Sequence, residues 1–86
     1  MKRGVYPPGT LLEVASHTGT GSMVLLRDME DDMMWGRATE GETMLVVSVE
    51  EGVPHRVHTV LYDGRLWRRF GDFVASGGED LVRVVL

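Results

Sequence analysis

Short apolar runs separated by glycine-bearing breaks set the rhythm of this chain. TLLEVA (Thr10–Ala15), SMVLLRD (Ser22–Asp28), TMLVVSVEE (Thr43–Glu51), HRVHTVLY (His55–Tyr62), RLWRRF (Arg65–Phe70) and LVRVV (Leu81–Val85) are short and rich in β-branched or aromatic residues. Each therefore reads as a strand. No segment holds a helical period over three turns. YPPG (Tyr6–Gly9) is a turn-like lead-in, because proline fixes φ and disfavours helix in the residue before it. Ser16–Gly21 and Ala75–Asp80 are loops of small polar residues and glycine, and GDFV (Gly71–Val74) reads as one 3₁₀ turn. Met29–Glu42 is the least regular stretch, acidic at first and then punctuated by glycine.

Asp63-Gly64 between two β-rich runs is a strong hairpin signal, since both central residues reach positive φ at low cost. A two-residue turn pairs Tyr62 with Arg65, Val60 with Trp67 and His58 with Arg69 on one face, and Leu61 with Leu66, Thr59 with Arg68 and Val57 with Phe70 on the other. The face with Val57, Leu61, Leu66 and Phe70 is the more apolar and is expected to point inward. Leu45, Val47, Val49, Leu12, Val14, Val82 and Val84 would complete the core. Arg56, His58, Tyr62, Arg65, Trp67 and Arg69 would then form a basic aromatic outer face. A bulge at the turn would exchange the two faces.

The segment MLVVSVEEGVPHRVHTVLYDGRLWRRFGDFV (Met44–Val74), closed by DLVRVV, resembles the SH3-like small barrel. The resemblance lies in the order of strands, tight turn and closing strand, and it covers about two thirds of the chain. It implies one all-β domain over residues 1–86, with five to seven short antiparallel strands. It also implies an enlarged RT-type loop over Ser16–Glu42 that holds its own hairpin. Short proteins of this pattern are frequent in bacteriophage genomes. The proline-peptide groove of signalling SH3 domains is not implied, because His55 and Arg56 stand where those domains open the third strand with tryptophans.

Composition narrows the function. The chain has 86 residues, net charge −4, 26% charged and 43% hydrophobic residues, and no cysteine. That fits one ordinary globular domain without disulfides or thiol chemistry. The acidic balance argues against a life on phosphate backbones. The longest apolar runs are too short to span a bilayer, no apolar stretch follows Lys2 and Arg3, and a cytoplasmic or virion location is expected.

Catalytic and cofactor chemistry find little footing. His55 and His58 are three apart on an expected strand and would project to opposite faces, so no metal site is expected. Asp28, Glu30, Asp31 and Asp32 lack the spacing of a calcium loop. No serine sits in a nucleophile elbow, and GTGS (Gly19–Ser22) lacks the lysine of a phosphate loop. The expectation is a non-catalytic interaction or structural module, without cofactor or small-molecule substrate, that binds a protein partner or its own copies. The alternative is a nucleic-acid-binding barrel that uses the Arg/Trp strip. The candidate contact residues are Arg56, His58, Tyr62, Arg65, Trp67 and Arg69, together with Met33, Met34 and Trp35, which form either a lid or an exposed apolar tip.

Overall fold

The computed structural model describes residues 3–15, 24–28, 35–52, 55–75 and 77–85, with 24–28 and 35 described by their backbone. Seven strands form one antiparallel sheet: β1 Leu11–Val14, β2 Val24–Asp28, β3 Trp35–Ala38, β4 Thr43–Glu50, β5 Val57–Tyr62, β6 Arg65–Phe70 and β7 Val82–Val84. The spatial order is β3-β2-β6-β5-β4-β1-β7, an open sheet with β3 and β7 at its edges. No helix occurs among the described residues, and so none is long and apolar enough to cross a membrane.

The β5–β6 hairpin has the expected register throughout, from Tyr62↔Arg65 at the turn to Val57↔Phe70 at its open end. Asp63 (φ 54°) and Gly64 (φ 78°) both take the left-handed conformation that a tight two-residue turn requires. Within the expected loop over Ser16–Glu42, β2 and β3 pair as a hairpin of their own. Trp35–Ala38, in the stretch expected to be irregular, is therefore a strand. Pairing with β2 overrides the weak local preference of its Gly36. β4 is long enough to pair with β1 near its start and with β5 along most of its length. It carries a bulge between Val46 and Ser48, which leaves Val47 without a cross-strand partner.

Gly71–Val74 is not a 3₁₀ turn. The Phe73 N–H donates to the Gly4 carbonyl, the Leu81 N–H donates to the Phe73 carbonyl, and Val74 bridges Asp80. Backbone groups that a local turn would have paired with each other are spent on the N-terminal segment and on the approach to β7. Gly4 (φ 82°) is buried at this junction, and a Cβ there would overlap the Val74 side chain.

The core consists of Leu12, Val14, Ala38, Met44, Val46, Val60, Trp67, Phe73, Leu81 and Val82. Leu12, Val14 and Val82 lie where the pattern placed them, and Val49 packs against the edge of the cluster. The hairpin faces the other way from expectation. His58, Val60 and Trp67 point inward, whereas Leu61, Leu66, Leu45, Val47 and Val84 are exposed. Val84 stands opposite Leu12 but on the edge strand β7, which has no further neighbour to cover it.

Candidate interaction face

The basic aromatic strip expected on the surface is dismantled by the orientation of the hairpin. Trp67 is 7% exposed and His58 is fully buried. The Trp67 ring lies against Gly36, where any Cβ would overlap it, so the glycine of β3 makes room for the largest side chain of the core. Its Nε1–H donates to the Tyr62 carbonyl at 3.0 Å, and its ring meets Tyr62 edge-on at 6.3 Å. With its one donor satisfied, the indole is buried without a polar penalty.

His58 ties three segments together. Its Nε2 accepts the Tyr6 backbone N–H at 3.3 Å, and its Nδ1 lies 3.3 Å from the Gly71 carbonyl. A ring that accepts at Nε2 carries its proton on Nδ1, so the neutral tautomer satisfies both contacts. The ring also packs edge-on against Phe73 at 4.7 Å. Burial holds the imidazole pKa below its usual range, against the opposing hydrogen bond to Gly71.

The arginines of the strip are occupied within the chain. Arg56 donates from Nε to Glu51 at 2.9 Å and from Nη1 to Asp72 at 2.6 Å. These hydrogen bonds raise its pKa further. Arg69 donates from Nη2 to the Asp72 carbonyl at 2.9 Å, and its guanidinium sits 5.6 Å from the Phe73 ring centre. Burial lowers its pKa. Tyr62 reaches the far side of the same cluster. Its hydroxyl donates to Glu42 Oε1 at 2.9 Å, and burial, followed by this bond to a carboxylate, pushes its pKa up to about 12. Glu42 Oε1 also accepts the Thr39 N–H and hydroxyl, each at 2.7 Å. The Thr39 bonds come first in holding the carboxyl below its ordinary range, with Tyr62 after them.

Arg65 stays exposed at the turn. Met33 and Met34 lie outside the described residues, and Trp35 opens β3 opposite Arg27. The structure therefore does not bring the expected contact residues together on one surface. It buries two of them and locks Arg56, Arg69 and Tyr62 into internal hydrogen bonds.

The surface that emerges instead is apolar. Leu66 stands opposite Leu61, Leu61 opposite Leu45, and Leu45 opposite Leu11. Directly opposed residues share a face, so these four leucines form one unbroken row across β6, β5, β4 and β1. Each is between 36% and 42% exposed, and Val47, displaced by the bulge, adds a fifth exposed apolar side chain beside them. One flank of the row is polar, with Arg68, Thr59 and Ser48 in line, of which Thr59 is buried. On the other flank Thr43 stands opposite Glu13 and Glu13 opposite Arg83, with a Glu13–Arg83 ion pair of 3.0 Å, and Asp63 is at the hairpin turn. The exposed apolar row is thus framed by polar residues on both sides.

The sequence carried a signal for this face. Leu11-Leu12, Leu45-Val46-Val47 and Val60-Leu61 are apolar at consecutive positions. Such runs supply side chains to both sides of a strand, and only one side can face the core. Comparison of the chain with protein-family models, with curated proteins and with solved structures gives no match.

Proposed function

We propose that this chain is an SH3-like small barrel acting as a non-catalytic interaction or structural module. Its contact surface in this reading is the outer face of β6-β5-β4-β1. The strand order β7-β1-β4-β5-β6, with the β2–β3 hairpin inserted between the first two strands of the barrel, supports the SH3-like reading. The sequence resemblance supplies the context of an accessory or virion-associated bacteriophage protein. The observation that carries the functional reading is the row Leu66–Leu61–Leu45–Leu11, which leaves aliphatic side chains in register and in water across four strands. Solvent exposure of such a row is unfavourable by roughly 25 cal/mol per Å², and a partner that covers it recovers that free energy.

The test is a pair of outer-face substitutions, Leu45→Lys with Leu61→Lys, in a protein whose circular dichroism and denaturation midpoint stay near those of the parent. The parent chain is expected to form a complex, homomeric or heteromeric, that the double variant loses. A parent that forms no complex of any kind overturns the reading, as does a complex that survives both lysines.

A further inference from the structure

We infer that the leucine row is covered by a second copy of this chain, sheet against sheet, with the two rows in contact. This inference rests on reading the outer face as an interaction surface and names its occupant. The extent of the face fits such a contact. Four strands at ~4.8 Å spacing and about six residues along each give a face of roughly 400 Å² in plan. Two such faces in contact cover roughly 800 Å² before side-chain relief is counted, close to the ~1,000 Å² at which specific interfaces begin. Packed sheets stand about 10 Å apart, a gap that interdigitating leucines fill.

The face is also complementary to itself. The row is bounded along the strand direction by Arg68 on one side and by the turn residue Asp63 on the other. A two-fold axis lying in the interface along the row keeps leucine on leucine and exchanges the two flanks. Arg68 of each copy then comes beside Asp63 of the other, and the contact is made twice. Between these charged ends Ser48 and Thr43 are small and uncharged, Thr59 is buried, and Glu13 is already paired with Arg83, so the flanks neither block close approach nor leave a charge buried without a partner. Such a contact closes on itself at two copies.

The absence of cysteine from the chain makes the geometry testable by cross-linking, alongside the size in solution. The parent protein is expected to pass from monomer to dimer between micromolar and millimolar concentration in sedimentation equilibrium. Leu61→Lys is expected to weaken the dimer by at least about tenfold, as for a residue at the centre of an interface. Leu61→Cys, aimed at its own counterpart across the axis, is expected to form a disulfide-linked dimer in air. Glu79→Cys, exposed away from the row, serves as the reference and is expected to do so far more slowly. A parent that stays monomeric at every concentration overturns the second copy as occupant. If its leucine face nevertheless holds a different protein, released by Leu61→Lys, the interaction reading stands without the dimer. A dimer indifferent to Leu61→Lys, or cross-linking no faster at position 61 than at 79, also overturns the inference.

Discussion

The two faces of the β5–β6 hairpin are built from the same strands in the same register, and they meet opposite fates. The inner face carries His58, Val60, Tyr62, Trp67 and Arg69, with Arg65 exposed at its turn end; the outer carries Val57, Thr59, Leu61, Leu66, Arg68 and Phe70. By hydropathy the outer face is the more oily, yet His58, Val60 and Trp67 of the inner face are buried, while on the outer face Thr59 alone is buried and Leu61 and Leu66 are exposed. Available cover and polar satisfaction separate the two faces, more than hydrophobicity does. Phe73, Gly36, the Tyr6 backbone and the carbonyls of Gly71 and Tyr62 converge on the inner face and give the polar atoms of His58 and Trp67 partners, while Arg69 Nε is buried there with none. Large side chains with a satisfied polar tip bury more area than leucine at little polar cost.

Truncating the indole is the most severe way to probe this contrast. Trp67→Ala is expected to cost about 3–5 kcal/mol in urea unfolding, while Leu61→Ala or Leu66→Ala costs below about 1 kcal/mol in the monomer. Equal costs on the two faces would break the comparison. Filling the space over the ring is the next test: Gly36→Ala is expected to lose about 1–3 kcal/mol through overlap with Trp67. Removing the Tyr62 hydroxyl takes away its contacts with Glu42 Oε1 and the Arg37 carbonyl, and Tyr62→Phe is expected to cost about 1 kcal/mol, measured as a shift in the denaturation midpoint.

The pH dependence of stability reads the same inner face from both ends. Burial favours neutral His58, so below its ordinary value of 6.5 the unfolded chain binds a proton that the folded chain resists. Stability contributed by His58 is thus complete above pH 6.5 and declines as pH falls toward the lowered native pKa. Asp72, on the acidic side, and Arg56 and Arg69, on the basic side, are the charges that modulate it. Tyr62 acts in the alkaline range. Its hydroxyl ionises at 10.0 when unperturbed and at about 12 in the fold, so its contribution is present below pH 10 and is lost between those values. Denaturation midpoints followed across pH should show both declines. The acidic one should flatten in His58→Gln and the alkaline one in Tyr62→Phe.

Much of the architecture was legible from local chemistry. Asp63-Gly64 specified the turn, the turn specified the register of β5 on β6, and alternating β-rich runs placed β1, β2, β4 and β7 within a residue or two. The local pattern missed β3, because Trp35–Ala38 with its Gly36 depends on β2 beside it, and only the resemblance, with a hairpin inside Ser16–Glu42, allowed for it. The 3₁₀ turn failed because the bonding partners of residues 71–74 lie at Gly4, Asp80 and Leu81, far along the chain.

The existence of β1, β2, β4, β5, β6 and β7 and the pairing of β5 with β6 followed from the sequence alone because they depend on turn stereochemistry and on side chains close in sequence. Which face of the sheet became the interior did not, because Leu61 and Trp67 are both apolar and alternation only separates them. That choice was made by residues from distant parts of the chain, the Gly36 gap, the Phe73 ring and the Tyr6 N–H. They offer cover and hydrogen bonds to one side of the hairpin, and the leucines of the other side are left in water.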